Sequence, residues 1–143
     1  MPYKYIEDLS IADVAFEAYG ESLEELFLSC ALAITNTMIK DLSKVEPIFL
    51  RNIVLENDDI EMLLFNFLQE LIFYKDAEKL LFSSLKIKLK KVNTNYKLEC
   101  EARGEELNMA KHELLVDVKA VTLHHFQVKL SEGRWMAKVV LDV

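Results

Sequence analysis

Two stretches of the chain carry apolar residues at helical spacing. The first follows Ser22-Leu23-Glu24-Glu25, a capping box in which hydroxyl and carboxylate satisfy free amides at a helix start. It predicts a helix of about 16 residues. The second follows Asp58, which has capping-box spacing to Glu61. Its apolar positions recur at the spacing typical of an amphipathic helix: Ile60, Leu63, Leu64, Phe67, Leu68, Leu71 and Ile72.

Elsewhere the apolar pattern alternates, which indicates strands. Leu85, Ile87 and Leu89 alternate with lysines, and the turn-forming residues 93–95 lead into a second alternating run, so this region predicts a hairpin. The extended segments predicted outside the hairpin are 3–7, 14–20, 48–56, 116–128 and 135–143.

The order of these elements predicts an α+β fold. Strands come first, then a helix, a strand, a second helix and a run of strands. This order favours a two-layer domain, with two helices packed on one face of a mixed, mostly antiparallel β-sheet. The 143 residues are 52% hydrophobic, enough for one hydrophobic core, and three Gly and two Pro leave little material for linkers. We expect a single domain over residues 1–143.

Lysines cluster on one predicted strand. Lys86, Lys88 and Lys90 alternate with apolar residues. We prefer to interpret them as a solvated face that prevents edge-to-edge pairing, rather than as a nucleic-acid patch. The two cysteines, Cys30 and Cys100, lie in different contexts with no ligand-spaced partner, so we expect buried free thiols.

The net charge of the chain indicates which kinds of partner it can bind. With 17 basic and 24 acidic residues the formal charge is −7, which opposes binding to nucleic acid. We therefore expect contact with RNA only indirectly, through a protein that holds it. The amino-terminal residues lack the pattern of a signal peptide, and the apolar runs are too short to span a membrane. These features favour a cytoplasmic protein without membrane contact, and we expect a monomer.

The common enzymatic signatures are missing from the sequence. It has no glycine-rich phosphate loop, no Gly-x-Ser-x-Gly elbow and no Cys-x-x-Cys pair. The histidines His112, His124 and His125 lack partners at metal-ligand spacing, which is more typical of structural or surface histidines. One hypothesis is a stand-alone hydrolase or transferase that uses His112 or His124 with Glu105 or Glu113 as acid and base. Another is a plain protein-interaction module whose acidic residues keep the surface soluble.

The acidic candidates for a metal site are Asp13, at the start of a predicted strand, and Asp142, one residue from the carboxyl end. Taken singly, each is more typical of a solvated aspartate. A free α-carboxylate on Val143 would add a second anion beside Asp142. Oxygen-rich clusters of this kind are what Ca²⁺, Mg²⁺ or Mn²⁺ prefer.

Several ordered motifs resemble one family. Ala12-Asp13 is followed by Ala18-Tyr19-Gly20 and by the Ser22-Leu23-Glu24-Glu25 helix start. Later come Gly104-Glu105, His112, the tract from Val118-Lys119 to Leu123-His124, and the ending Leu141-Asp142-Val143. Together these motifs are similar to those of the archease family over nearly the whole chain. One departure precedes Asp13: many archeases carry Glu-His-Thr-Ala-Asp, whereas here the His-Thr pair is replaced and two residues are added.

The resemblance implies an α+β protein that is not itself an enzyme. It implies a divalent cation, Ca²⁺ before Mg²⁺ or Mn²⁺, bound by Asp13, Asp142 and an oxygen of Val143. Glu105, His112, Lys119 and His124 are expected as supporting residues. The implied partner is the RtcB-type, GTP-dependent RNA ligase of tRNA splicing and RNA repair, for which archeases promote guanylylation and multiple turnover.

Overall fold

The computed structural model describes residues 2–6 and 13–143. The replaced His-Thr pair and the two added residues fall within positions 7–12, outside the described residues. The described elements, in chain order, are β1 Tyr3–Ile6, β2 Asp13–Gly20, α1 Leu23–Met38, a 3₁₀ turn at Leu42–Lys44, β3 Phe49–Asn57, α2 Ile60–Glu78, β4 Leu80–Val92, β5 Asn95–Glu106, β6 Ala120–Ser131 and β7 Arg134–Asp142.

Both helices form where the apolar pattern predicts them. Helix α1 has 16 residues, and the Ser22 side chain accepts a hydrogen bond from the backbone N–H of Glu25, as the capping box requires. The cap predicted for α2 was wrong by one residue. Asp59, not Asp58, accepts from the backbone N–H of Glu61. A capping side chain can accept a hydrogen bond from the backbone N–H either two or three residues later, so Asp59 satisfies a free N–H of the first turn just as a capping-box residue would.

The α+β class is confirmed, and the strands divide into two antiparallel sheets instead of the single sheet expected. The first sheet has the order β1-β2-β7-β6 and the second has the order β3-β5-β4. Helix α1 contacts β2 in the first sheet and β4 in the second, whereas α2 contacts β6 and β3. Every helix therefore packs against strands of both sheets. Alternation along a strand predicts which face is buried but does not predict which strands pair.

Two glycines allow close approaches that a side chain would block. A Cβ on Gly104 would lie 1.7 Å from the carbonyl oxygen of Leu81, at the point where the β4–β5 register shifts between Phe82 and Ser84. A Cβ on Gly20 would lie 2.5 Å from the backbone nitrogen of Leu26. Both glycines belong to the motifs singled out in the sequence, and the reason for each is steric.

Strand β4 is an edge of the second sheet, and its three alternating lysines are exposed, which confirms the predicted solvated face. Lys86 lies opposite Glu101 and Lys88 opposite Glu99. The predicted burial of the thiols is also confirmed, because Cys30 and Cys100 are free and buried.

Strand β6 begins later than predicted and is interrupted. The extended run predicted from residue 116 becomes a strand only at Ala120. In the pairing with β7, Thr122 lies opposite Val140 and Gln127 opposite Lys138, so four residues of β6 face one residue of β7. His125 within this bulge has a left-handed backbone, with φ 56°. Neither helix of the described residues is long and apolar enough to cross a membrane.

Candidate functional site

Asp13 and Asp142 lie directly opposite each other in the first sheet. Asp13 opens β2, Asp142 closes β7, and the two Cα atoms are partners in an unbroken antiparallel register that continues to Gly20 and Trp135. Directly opposed residues point to the same face of a sheet. The pairing makes β2 and the last strand of the chain neighbours in one sheet.

The neighbouring strand completes this end of the sheet. Ala120 pairs with Asp142 from the β6 side, and the backbone N–H of Lys119 donates to the carbonyl oxygen of Asp142 at 2.8 Å. The chain then continues to Val143, which is half-buried like the two aspartates. We call Asp13, Asp142 and Val143 the acidic tip. Lys119 therefore lies beside the tip, as a backbone donor with an exposed side chain.

The charges of the acidic tip have no described counterion. Among residues 2–6 and 13–143, no basic side chain forms a salt bridge with Asp13 or Asp142. Like charges directly opposite each other on a sheet are destabilising. Two carboxylates with a nearby main-chain or terminal oxygen are donors that suit a hard divalent cation.

The donor set is small. Within the part of the chain that the structure describes, no three His, Cys, Asp or Glu side chains gather as a group that could hold a metal. The donors that the tip could offer a metal are two carboxylates and an oxygen of Val143. Ca²⁺ takes six to eight oxygen ligands and Mg²⁺ usually keeps several waters, so such a set fits either ion when water completes the shell.

His112 and Glu105 come together at a second place, beside the second sheet. The Nε2 atom of His112 lies 3.1 Å from Oε2 of Glu105 and 3.2 Å from the carbonyl oxygen of Lys44. The Nδ1 atom accepts from the backbone N–H of Asn108 at 3.0 Å, which leaves the proton on Nε2. This cluster joins the segment after β5 to the segment before β3.

Glu105 is the electrostatic centre of that cluster. Burial opposes its ionisation, but hydrogen bonds from Lys111, from the backbone N–H of Glu46 and from His112 favour the carboxylate, and together they lower its pKa to about 2. Lys111 lies 2.8 Å from Oε2 of Glu105 and 2.7 Å from Oε2 of Glu46. The carboxylate is thus ionised and fully bonded.

This arrangement does not suit acid–base catalysis by His112. Its side chain is 0% exposed and both ring nitrogens are engaged within the protein. A general base must reach a substrate proton directly or through one water. The histidine and the glutamate therefore have the geometry of a structural staple, a role that sequence spacing alone does not reveal.

His124 lies apart from that staple, in the β6 bulge. Its ring is exposed and its centroid is 4.1 Å from that of His125. The backbone N–H of His124 donates to Oγ1 of Thr122, and Thr122 pairs with Val140 two residues before Asp142. Of the four supporting residues, Lys119 and His124 thus belong to the strand and segment beside the tip, whereas Glu105 and His112 belong to the second sheet's staple.

Comparison with known proteins gives the same assignment as the motifs. The model of the Archease protein family matches residues 3–143. This chain belongs to the archease family. The archease of Pyrococcus abyssi is 41% identical over 133 residues, covering 92% of this chain and 93% of that protein.

Two solved structures share the fold. The solution structure of protein 1598 from Methanobacterium thermoautotrophicum has a TM-score of 0.86 and 36% identity and covers 99% of each chain. The crystal structure of an archease from Thermotoga maritima, a possible chaperone, has a TM-score of 0.61 and 19% identity and covers 96% of each chain. The archease fold is therefore common to chains that differ at most of their positions.

Proposed function

We propose that this archease is the accessory protein of an RtcB-type, GTP-dependent RNA ligase. In this role it promotes guanylylation of the ligase and its multiple turnover in tRNA splicing and RNA repair, within the cytoplasm. The ligase joins RNA ends that carry a 2′,3′-cyclic phosphate or a 3′-phosphate to 5′-hydroxyl ends. The chain itself contributes no covalent catalyst.

The observation that carries the proposal is the register of Asp13 with Asp142. It brings together two carboxylates that are far apart in sequence, on one face at the end of a sheet. With Val143 they are the residues that would hold a divalent cation, Ca²⁺ first. Such a cation, when bound, supplies positive charge that can help arrange the phosphates of GTP.

The overall charge supports action through a protein partner. A chain of formal charge −7 is repelled by RNA but attracted to the basic surface with which a ligase holds RNA. The acidic tip would then dock close to the ligase active site. Asp13 begins β2 and Asp142 ends β7, so the tip lies at one end of the first sheet.

A ligation assay tests the proposal. The ligase is supplied with GTP and RNA ends, and product is followed under single-turnover and multiple-turnover conditions with wild type, Asp13→Ala or Asp142→Ala. We expect multiple turnover to require the wild-type tip. Asp58→Ala is the matched control, because Asp58 is an exposed aspartate away from the tip and does not cap α2.

The other hypotheses predict different results. Unchanged stimulation by both tip variants would remove the acidic tip from the function. Turnover of RNA by the purified chain without a ligase would favour a stand-alone enzyme. An absence of both cation binding and ligase stimulation would favour a plain interaction module.

A further inference from the structure

An apolar cavity opens at the surface beside the segment that joins β5 to β6. Its volume is about 340 Å³, and six apolar side chains of the described residues line it: Met38, Leu81, Leu107, Leu114, Leu115 and Val116. The consecutive residues Leu114, Leu115 and Val116 are 42%, 51% and 42% exposed. A run of exposed apolar residues around a cavity is typical of a surface that binds another protein.

Hydrogen bonds hold this exposed run in place on both sides. The backbone N–H of Leu115 donates to the carbonyl oxygen of Met38, at the end of α1, at 2.8 Å. Two residues beyond the run, the carbonyl oxygen of Val118 accepts from Nζ of Lys75, on α2, at 2.7 Å. A segment that is already fixed loses little conformational freedom when a partner binds, so it can contribute more to affinity.

Two charged residues, Lys75 and Asp117, also line the cavity, and they pair with each other. Nζ of Lys75 lies 2.6 Å from Oδ1 of Asp117 and 2.6 Å from Oδ1 of Asp76. With the Val118 carbonyl, these acceptors use all three N–H donors of the ammonium group. An anionic ligand would have to displace Asp117, whereas an apolar group would not. The cavity therefore suits an apolar side chain.

The cavity and the acidic tip lie at the same end of the fold. Helix α1 follows β2 directly and packs against it, so the helix runs back along the strand. The eight residues of β2 span about 27 Å, and the 16 residues of α1 span about 24 Å. Met38, the last residue of α1, therefore returns to the end of the sheet where Asp13 begins β2.

The chain between the cavity and the tip is short. The backbone N–H of Lys119 donates to the carbonyl oxygen of Asp142, and Val116 lies three residues before Lys119. Three extended residues span at most about 11 Å. An ordinary protein interface covers about 800 Å² on each partner, equivalent to a circle of about 16 Å radius. A protein that docks with such an interface centred on the tip therefore also reaches the cavity.

We propose that this cavity receives an apolar side chain of the RNA ligase while the acidic tip engages the ligase active site. This inference rests on the proposed function and deepens it. The tip supplies charge, which mainly steers and orients an encounter. The cavity supplies an apolar anchor, and side chains that fill such pockets contribute much of the binding energy of protein interfaces.

The concentration of this chain that gives half-maximal guanylylation of the ligase tests the anchor. Leu115→Ser removes an apolar side chain from the cavity wall and should raise that concentration at least about tenfold. Maximal guanylylation should stay the same, because the acidic tip is intact. The matched control is Leu130→Ser, which should behave like wild type. Leu130 is 57% exposed and lies near the end of β6 that is remote from the tip.

The salt concentration separates the apolar anchor from the charges. Raising the salt from about 0.1 M to about 0.5 M screens charge attraction, so wild type and both variants should need higher concentrations. The ratio between Leu115→Ser and Leu130→Ser should persist, because burial of apolar groups is not screened. A ratio that disappears at high salt would overturn the anchor.

The outcomes distinguish the anchor from the proposed function. If wild type stimulates the ligase and the two variants have the same half-maximal concentration, the anchor is excluded and the proposed function stands. If wild type gives no stimulation at any concentration, both are overturned. Circular dichroism and thermal unfolding with Ca²⁺ should show that both variants are folded and keep the response of the tip.

A fluorescent probe measures directly whether the ligase covers the cavity. Glu113→Cys, beside the exposed run, and Ser131→Cys, at the remote end of β6, each carry a dye whose emission shifts when water is excluded; both positions are exposed. The native thiols should stay unlabelled because both are buried. Added ligase should shift the dye at position 113 and not the dye at position 131. Equal shifts, or none at position 113 while the ligase is stimulated, would overturn the proposal.

Discussion

The Cα atoms of Asp13 and Asp142 are direct partners across β2 and β7, so two like charges face each other at the end of the first sheet. No described basic side chain forms a salt bridge with either. Opposed like charges cost stability, and a bound cation reverses that cost. If the tip binds a cation as we propose, the stability of the folded chain should depend on that cation.

Calcium should stabilise the wild-type chain. At a Ca²⁺ concentration of about 100 times the dissociation constant, binding to the folded state alone adds about 2.7 kcal/mol to the free energy of unfolding. Asp142→Asn should lose this gain because one carboxylate ligand is removed. Thermal unfolding with Ca²⁺ and with a chelator measures the difference.

The same substitution should act in the opposite direction without metal. Asp142→Asn relieves the repulsion with Asp13, so we expect the chelated variant to be as stable as wild type or more stable by about 0.5 kcal/mol. Asp58→Asn, the exposed control, should retain the Ca²⁺ response. Equal Ca²⁺ stabilisation of wild type and Asp142→Asn would exclude Asp142 as a ligand.

Extending the chain beyond Val143 should weaken cation binding if the α-carboxylate is a ligand. An extension turns that carboxylate into a neutral amide, whose carbonyl is a weaker donor to a hard cation. Titration calorimetry with Ca²⁺ compares the chain that ends at Val143 with a form extended by a short Gly-Ser segment. The same segment placed before Met1 is the control, and identical affinities in all three forms would mean that the terminal carboxylate takes no part.

Glu105 should make the free energy of unfolding depend on pH. Its pKa is lowered from 4.5 to about 2 in the folded protein, so its contribution is complete above about pH 5 and is lost as pH falls toward 2. The difference in unfolding free energy between wild type and Glu105→Gln should shrink over that window. Chemical denaturation at a series of pH values measures this change.

Glu106→Gln is the neighbouring control, because Glu106 is exposed and forms no salt bridge with another described residue. It should differ little from wild type at neutral pH. A stability difference for Glu105→Gln that stays constant from pH 5 to about pH 2 would contradict the ionised, hydrogen-bonded state described for Glu105.

Gly104→Ala should destabilise the second sheet strongly. The new Cβ would clash with the Leu81 carbonyl, and this backbone group cannot move aside as the end of a flexible side chain could. We therefore expect the free energy of unfolding to fall by about 3 kcal/mol. Gly133→Ala has open space around the new atom but a left-handed φ of 77°, and should cost about 1 kcal/mol. Urea denaturation of both variants checks the order, and a reversed order would contradict the close approach at Gly104.

The helices were predictable because their signals are local. Ser22 and the apolar spacing of α1 require only a few neighbouring residues, and the observed helix has the predicted length. Strand pairing is not local in this way. The division into two sheets depends on contacts such as β3 with β5, whose residues are about 50 positions apart in sequence.

The candidate site was predictable only in part. Nothing local distinguishes Asp13 or Asp142 from other acids, and their selection came from the ordered motifs. The structural interpretation preferred for His112 agrees with its burial, but its hydrogen bond to the backbone of Lys44 could not be predicted, because no side-chain pattern records a backbone partner. The left-handed His125 likewise leaves no signal in the alternation of β6.

The most direct test of the central claim measures guanylylation of the ligase, as transfer of labelled GMP from GTP. It compares the wild-type chain with the double variant that carries both Asp13→Asn and Asp142→Asn. Asp58→Asn serves as the control. If the acidic tip acts as proposed, wild type and the control accelerate guanylylation. With the double variant, guanylylation should proceed at the rate of the ligase alone. Full acceleration by a folded double variant would contradict it.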